Sequence, residues 1–220
     1  MDTSDTIINI AILGPVSAGK STLLNALFSN TFSDMQRKKT TMMPQYYNII
    51  KTNDQADDEK IIRQKNTESN KRIFDIRTKD VIKLEHMVPL FHKVSPITDF
   101  IELPPEATYQ ILDMPGLNDG GDEIYYQYID SISHTIDIYV LVFDINSCLN
   151  TTDEITILQF INSQIEKNQH GYVHVLINKC DSVEYTVNGF GIEDVELKEM
   201  YDTCSNTVHK YINGCITIDG

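Results

Sequence analysis

One eight-residue stretch near the start of the chain constrains its fold more than any other feature. Residues 14–21 read GPVSAGKS, which matches the pattern G-x-x-x-x-G-K-[ST]. A buried-strand pattern at residues 6–13 precedes the motif and a helical pattern at residues 21–28 follows it. Glycines in such a turn let backbone N–H groups and the helix N-terminus point at an anion. The motif therefore predicts a site for a nucleoside triphosphate, with Lys20 on the outer phosphates and Ser21 on a magnesium ion.

Composition indicates a single domain, which we expect to extend over residues 1–220. The chain has 220 residues, of which 41% are hydrophobic and 23% charged, as in an ordinary globular protein. The formal net charge of −14 disfavours broad binding to nucleic acid or anionic lipid. No apolar run is long enough to cross a bilayer, and four scattered cysteines favour reduced thiols in the cytoplasm. Because no helical pattern follows the last predicted strand, we expect the chain to be the N-terminal part of a longer protein.

Apolar runs alternate with helical patterns along most of the chain. This alternation predicts an α/β fold with a doubly wound, mostly parallel sheet and helices on both faces. A capping box at Thr151 and Glu154 predicts the start of one helix, and His174 is expected to pack in the core. Further strands are predicted at residues 45–50, 108–112, 138–143, 172–177 and 215–218, and further helices at residues 124–136, 151–165 and 197–211.

Residues 52–100 interrupt this alternation. They begin with a polar stretch and continue as a charged, helix-like segment at residues 59–74. We interpret the whole segment as an insertion that lies over one edge of the site. Its last part, residues 97–103, is expected to form an edge strand that pairs antiparallel with residues 108–112 through a turn at two prolines.

A second motif follows the strand predicted at residues 108–112. Residues 113–116 read DMPG, which matches D-x-x-G. At the end of a strand Asp113 can hold the magnesium ion through water, and the N–H of Gly116 can contact the γ-phosphate. Such a tetrapeptide alone is weak evidence for a nucleotide site, but it is strong evidence when it follows a phosphate loop and a strand.

A third motif predicts which base is bound. Residues 178–181 read NKCD and follow the strand predicted at residues 172–177, at the same sheet edge as the other motifs. The carboxylate of Asp181 can accept hydrogen bonds from two guanine N–H groups, whereas adenine would leave it unpaired. The Asn178 amide can bond the ring and the neighbouring loops, and the Lys179 stem can lie on the purine. The motif therefore favours guanine over adenine.

The fourth element is a hydroxyl in the loop after the first helix. Thr40 and Thr41 both stand where a hydroxyl can complete the magnesium shell when the γ-phosphate is present. We favour Thr41, because it lies nearer the following strand.

The four motifs together resemble the translation-factor-like and Ras-like GTPases, and their details resemble the dynamin-related branch. Residues 17–21 are similar to the dynamin phosphate loop, residues 38–44 to its switch I and residues 113–117 to its switch II. An insertion between the switches also agrees with that branch. The resemblance implies a GTPase that dimerises across its nucleotide face, and it implies membrane action through parts outside this chain.

Two positions depart from related patterns. Leu117 follows the DMPG motif, where many GTPases carry a glutamine that orients water. The resemblance implies that backbone groups of the switches and Ser17 replace it, together with a bound monovalent cation. Val16 stands where dynamin-like loops often carry glutamine, and the base-supporting loop of the family is not found before Gly220.

The four motifs and the family resemblance together predict one site. GTP or GDP, Mg²⁺ and a monovalent cation are the expected cofactors. The expected partners are the guanine nucleotide and a second copy of the chain, without nucleic acid, in the cytoplasm or peripherally at a membrane. The predicted catalytic residues are Ser17, Lys20, Thr41 and Gly116, and the predicted metal-binding residues are Ser21, Thr41 and Asp113. The predicted nucleotide-binding residues are Gly14, Ser17, Ala18, Gly19, Lys20, Ser21, Thr22, Thr40, Thr41, Asp113, Gly116, Asn178, Lys179 and Asp181.

Three other functions are compatible with parts of the pattern. A GTP-dependent binding module would use the same site with little hydrolysis. An RNA-associated GTPase of the Era or TrmE kind shares the paired threonines and the D-x-P-G motif but needs a basic surface, which the net charge of −14 disfavours. A nucleoside kinase would leave the NKCD motif without a role.

Overall fold

The computed structural model describes residues 6–28, 41–50, 56–95, 107–117, 123–180 and 195–219. The described strands are β1 (Thr6–Leu13), β2 (Gln45–Ile49), β3 (Leu90–Val94), β4 (Ala107–Asp113), β5 (Ile138–Asp144), β6 (Tyr172–Asn178) and β7 (Ile216–Asp219). They form one sheet in the order β3-β2-β4-β1-β5-β6-β7, in which only the pair β2 and β4 is antiparallel. The described α-helices are α1 (Lys20–Leu27), α2 (Glu59–Arg77), α3 (Glu123–Ile132), α4 (Thr152–Asn168) and α5 (Val195–Tyr211), and short 3₁₀ helices lie at Leu84–His86, Ser133–Thr135 and Ile145–Ser147.

Helices cover both faces of the sheet, and each face has its own apolar layer. Ile129 of α3, Leu158 of α4 and Val208 of α5 are buried in the larger layer. Leu24 of α1 and Ile62 of α2 are buried in the smaller layer on the opposite face. The burial of apolar side chains on both faces is what the alternating sequence pattern predicts. The predicted α/β, doubly wound and mostly parallel fold is confirmed.

Local capping interactions define where two of the long helices begin. The predicted capping box of α4 is confirmed, because Thr151 Oγ1 accepts from the N–H of Glu154 at 3.3 Å and Glu154 Oε2 accepts from the N–H of Thr151 at 3.2 Å. At the start of α2 the Asp58 carboxylate accepts from the N–H of Lys60 at 2.7 Å. No helix in the described part of the chain is both long and apolar enough to cross a membrane.

Residues 56–95 differ from the sequence expectation in their topology. The helix predicted at residues 59–74 is present as α2, and it is followed by β3, which no sequence pattern predicted. β3 pairs parallel to β2 at the edge of the described sheet. The pairing predicted for residues 108–112 is wrong, because β4 has β2 as its antiparallel neighbour and β1 on its other side. The predicted strand at residues 97–103 lies outside the described residues, and the assignment of residues 52–100 as an insertion over the site stays a prediction.

His174 is not the packed core residue that its apolar neighbours suggested. Its side chain is 36% exposed, and its Nε2 atom lies 3.3 Å from Asp219 Oδ2 on the neighbouring strand β7. Tyr172 is 63% exposed on the same face of β6. Alternation along a strand predicts which residues share a face but not whether a helix covers that face.

Another histidine, His92 of β3, is buried without a hydrogen-bond partner. It is 1% exposed, neither ring nitrogen has a partner among the described residues, and its ring packs against Tyr47 with centroids 5.2 Å apart. Burial lowers the pKa of the His92 imidazole from 6.5 to about 4, with a further lowering by the positive charge of Lys65 and an opposing effect of Asp57. The folded protein therefore holds this imidazole neutral.

This burial predicts a pH dependence of stability. As pH falls below 6.5, the unfolded chain takes up a proton at His92 that the folded chain does not accept until about pH 4. The free energy of unfolding is expected to fall by up to about 3 kcal/mol across that window. Denaturant unfolding at a series of pH values would compare the wild type with His92→Phe, in which the other titrating groups are unchanged. Two curves that stay parallel between pH 6.5 and 4 would contradict the prediction.

Candidate functional site

Three of the four predicted motifs meet at one edge of the sheet. Strands β1, β4 and β6 are parallel, and their carboxyl ends lead into residues 14–21, 113–116 and 178–180. Strand β2 runs the other way, so that Gln45 lies opposite Asp113 and the segment before β2 reaches the same edge. The carboxyl edge of such a sheet is the usual position of a ligand site in α/β proteins.

The backbone of residues 14–19 has the shape that the glycine pattern predicts. Gly14 and Gly19 have φ values of 147° and 106°, in the range that favours glycine. A Cβ atom at Gly14 would overlap with the Val142 carbonyl oxygen, and one at Gly19 would overlap with the Asn178 side chain. Ser17 also has a positive φ of 65°, which is uncommon for a residue with a side chain. Contact with the Val142 backbone and a positive φ therefore explain Gly14, whereas Gly19 is explained mainly by its positive φ, because the Asn178 side chain could move away.

Lys20 places its positive charge inside this loop. The residue is 8% exposed, and its Nζ atom donates to the carbonyl oxygens of Gly14 at 3.0 Å and Pro15 at 2.7 Å. Ser21 and Thr22 follow it in the first turn of α1, where helix N–H groups lack intrahelical acceptors. An ammonium group beside these amide groups is a favourable environment for phosphate oxygens.

Asp113 is a buried carboxylate whose two oxygens have different surroundings. It is 1% exposed, and its Oδ2 atom accepts from Thr41 Oγ1 at 3.4 Å. Its Oδ1 atom has no hydrogen-bond partner among the described residues. Burial raises the pKa of Asp113 to about 6, against the lowering effects of the Lys20 charge and of the Thr41 hydrogen bond. A buried carboxylate oxygen without a partner, next to a hydroxyl, fits a hard dication such as Mg²⁺, which binds oxygen ligands.

The residues after Asp113 pack directly on the phosphate loop. The N–H of Leu117 donates to the Gly14 carbonyl oxygen at 3.2 Å. A Cβ atom at Gly116 would overlap with Val16, so only glycine allows this close approach. Leu117 is 2% exposed and belongs to the core. An apolar, buried side chain at this position cannot orient a water molecule.

The described part of the NKCD motif also contacts the phosphate loop. Asn178 Nδ2 donates to the Ala18 carbonyl oxygen at 2.8 Å, which joins the two motifs across the sheet edge. Lys179 has a positive φ of 66°, and its Nζ atom forms an ion pair with Asp144 Oδ2. We did not predict Asp144 from the sequence, although a polar residue that ends a buried strand at this edge is a recognisable signal.

The structure thus brings most of the predicted residues to one place. The described residues that meet at this edge are Gly14, Ser17, Ala18, Gly19, Lys20, Ser21, Thr22, Thr41, Asp113, Gly116, Asn178 and Lys179. Thr40 and Asp181 lie outside the described residues. The functional roles of all these residues stay predictions.

A phosphate loop after the first strand and an aspartate at the end of an adjacent strand, on a mostly parallel sheet, define a P-loop nucleoside triphosphatase fold. Comparison with family models places residues 10–180 in the Dynamin family. This match extends over more than half of the sequence. The chain therefore belongs to the dynamin family and is a dynamin-like GTPase domain, as the sequence resemblance predicted.

Comparisons with individual proteins found one sequence relative and several solved structures with the same fold. An uncharacterized protein of Acanthamoeba polyphaga mimivirus is 26% identical over 211 residues, which cover 93% of this chain and 34% of that protein. This chain thus spans about a third of that relative's length. Three solved structures share the fold. A bacterial dynamin from an oligomerised pair has a TM-score of 0.58 at 13% identity, with 99% of this chain and 40% of that one covered. Toc33 from Arabidopsis thaliana, a dimerization-deficient mutant, has a TM-score of 0.54 at 10% identity and coverages of 97% and 70%, and Era from Aquifex aeolicus bound to GDP and AlF4⁻ has a TM-score of 0.52 at 17% identity and coverages of 97% and 50%.

Proposed function

We propose that this domain binds GTP with Mg²⁺ and hydrolyses it. The observation that carries the proposal is the buried Asp113 carboxylate, whose Oδ1 atom lacks a hydrogen-bond partner among the described residues while Thr41 and Lys20 stand beside it. Paired cationic and anionic groups at a glycine-shaped loop are what a magnesium–phosphate complex requires.

In this proposal the phosphate loop binds and orients the triphosphate. The Lys20 ammonium group leaves the carbonyl oxygens of the loop and donates to the outer phosphates, and the N–H groups of the loop bind the inner phosphates. Ser21 and Thr41 supply hydroxyl ligands to the metal, and Asp113 supports it through water. When bound, Mg²⁺ neutralises the charge that develops on the phosphate oxygens. The N–H of Gly116 donates to the γ-phosphate when GTP is bound. The two switch segments, residues 38–44 and 113–117, are therefore ordered with GTP and less ordered with GDP.

Recognition of guanine is assigned to the NKCD motif. Asp181 accepts from the two N–H donors of the base, Asn178 bridges the motif to the loop, and the Lys179 stem covers the purine face. The bond from Asn178 Nδ2 to the Ala18 carbonyl oxygen supports this role, because it ties the base site to the phosphate site. GTP and GDP are thus the proposed ligands.

Hydrolysis is proposed to be slow in the isolated domain and faster in a dimer. Leu117 is buried and cannot position the attacking water, so this task falls to backbone groups of the switches and to Ser17. A monovalent cation beside Ser17 is part of the proposal, although Val16 offers it no side-chain oxygen. A second copy that docks across the nucleotide face would order these groups and exclude bulk solvent, while the attacking water stays in place. Dimer formation therefore becomes part of the catalytic cycle.

The test is phosphate release from GTP measured against protein concentration. We expect the specific activity to rise by roughly an order of magnitude or more as the domain associates, because completion of a phosphoryl-transfer site has effects of at least that size. The same assay without Mg²⁺ provides the background. If the specific activity stayed near zero at every protein concentration while nucleotide still bound tightly, the proposal that the domain hydrolyses GTP would be excluded.

Such a result would favour a GTP-dependent binding module, for which the buried Leu117 is the specific supporting observation. In that case the nucleotide only sets a conformation that a partner recognises. The two functions differ in turnover and not in nucleotide affinity, so the phosphate assay separates them.

The cellular setting is proposed from the family and from chain length. We infer a cytoplasmic protein that associates peripherally with a membrane, as the family resemblance implies. The mimivirus relative is about three times longer than this chain, so we propose that the membrane-binding part corresponds to regions of that length outside the chain. The similar bacterial dynamin pair is described as providing a mechanism for long-range sensing and tethering of membranes, and by analogy we propose that this protein acts on membranes, with membrane remodelling as the proposed role. The fold likeness to Era, another structure of which is a complex with 16S ribosomal RNA, keeps an RNA-associated function as the alternative, but the net charge of −14 disfavours it.

A further inference from the structure

Side chains from two helices bind both backbone polar groups of Met42, the residue next to Thr41. The N–H of Met42 donates to Asn70 Oδ1 of α2 at 3.0 Å. The carbonyl oxygen of Met42 accepts from the hydroxyl of Tyr125 of α3 at 3.2 Å. Met42 lies in neither a helix nor a strand, so these bonds satisfy groups that secondary structure would otherwise pair.

A third residue fixes the tyrosine. Arg77 Nη2 donates to the Tyr125 hydroxyl at 3.3 Å, and Tyr125 is fully buried. Asn70, Ile73 and Arg77 are spaced by three and four residues, so they lie on one face of α2. Ile73 is also fully buried, which anchors that face in the core. The same face of α2 thus contacts Met42 directly and also through Tyr125.

The bonds at Met42 restrict where the adjacent threonine can point. The Thr41 hydroxyl lies 3.4 Å from Asp113 Oδ2, and a small rotation of the following peptide would move it away. We propose that Asn70 and Tyr125 are positioning residues that hold Thr41 in the magnesium site, with Arg77 orienting Tyr125. This inference depends on the proposed function, because it assigns a purpose to the Thr41 hydroxyl. The positioning matters most in the GTP-bound form, because the Thr41 hydroxyl is proposed to bind the metal only when the γ-phosphate is present.

A positioning role for Asn70 and Tyr125 and a merely structural role predict different losses of nucleotide binding. Loss of general packing would weaken GDP and GTP binding alike and would lower the unfolding midpoint. Loss of Thr41 positioning would weaken only the binding that depends on both Mg²⁺ and the γ-phosphate. The ratio of the GTP affinity to the GDP affinity is therefore the quantity that separates the two roles.

The experiment measures binding of a non-hydrolysable GTP analogue and of GDP across a range of Mg²⁺ concentrations. Asn70→Ala and Tyr125→Phe are each expected to raise the Mg²⁺ concentration for half-maximal analogue binding by roughly three- to tenfold, the effect of one lost hydrogen bond. GDP binding should stay within about twofold of the wild type. The matched controls are Gln64→Ala, which removes an exposed amide of α2 bonded to Glu68, and Tyr128→Phe, which removes another α3 hydroxyl.

Amide hydrogen exchange gives a second readout without nucleotide. The Met42 amide should exchange about tenfold faster in Asn70→Ala, because its acceptor is gone. Asn70→Asp retains an acceptor oxygen and should restore both slow exchange and normal Mg²⁺ dependence. This rescue, together with Tyr125→Phe, keeps the inference testable even if the alanine variant folds poorly.

The outcomes distinguish the inference from the proposed function. Both variants matching their controls, or losing GDP and analogue binding equally, would overturn the positioning role and leave the proposed function intact. A wild type that binds neither nucleotide in Mg²⁺ would contradict the proposed function and this inference with it. Selective loss of analogue binding, with rescue by Asn70→Asp, would support the role of α2 in the metal site.

Discussion

Replacement of Lys20 with alanine is expected to abolish tight binding of both GTP and GDP. Its ammonium group lies within the phosphate loop, where it donates to the Gly14 and Pro15 carbonyl oxygens. Loss of two charge-assisted hydrogen bonds to phosphate should lower the affinity by roughly two to four orders of magnitude. Calorimetry with Mg²⁺ present measures this effect directly.

A matched substitution shows whether the loss is local. Lys167→Ala removes the same charge from α4, where Lys167 pairs with Asp130 at 2.8 Å on the surface. This variant should bind nucleotide as the wild type does. If Lys20→Ala were equally unaffected while still folded, the phosphate loop would not be the nucleotide site.

Replacement of Asp181 with asparagine should change which base is bound. The amide presents a donor and an acceptor where the carboxylate presents two acceptors, so a guanine N–H group loses its partner. GTP affinity should fall by roughly a hundredfold, and xanthosine triphosphate, whose ring offers the complementary pattern, should bind better than it does to the wild type. Competition binding with the two nucleotides measures the exchange.

The control for this substitution is an exposed aspartate outside the site. Asp202→Asn on α5 makes the same chemical change at the surface and should leave both affinities unchanged. An Asp181→Asn variant that bound GTP as tightly as before would show that the NKCD motif does not read the base. The Asn178 contact with Ala18 would then be structural only.

Much of the fold could be predicted because its signals are local. The strand before the phosphate loop, the helix after it and the capping box at Thr151 depend on residues within a few positions of one another. Parallel strands place their carboxyl ends together, so the motifs at residues 14–21, 113–116 and 178–181 could be assigned to one edge before any contact was known. For the same reason the Lys20 and Asp113 positions were predicted together.

Other features escaped prediction because they depend on partners far away in the chain. The five residues of β3 contain no periodic pattern, and only pairing with β2 makes them a strand. The antiparallel neighbour of β4 could not be inferred, since either a local hairpin or the distant β2 satisfies the same backbone groups. His174 looked buried by alternation alone, although its face of β6 is partly open to solvent.

By itself the sequence determined the class of protein and predicted the chemistry of its phosphate loop, because glycine, lysine and hydroxyl residues at fixed spacing favour a phosphate site through local backbone geometry. Only the tertiary structure decided the sheet order and the surroundings of that site. The bonds that Asn70 and Tyr125 make to Met42 join segments 28 and 83 residues apart. Such contacts form when packing of the apolar faces brings distant helices together. No local sequence pattern predicts which side chains will then be in contact.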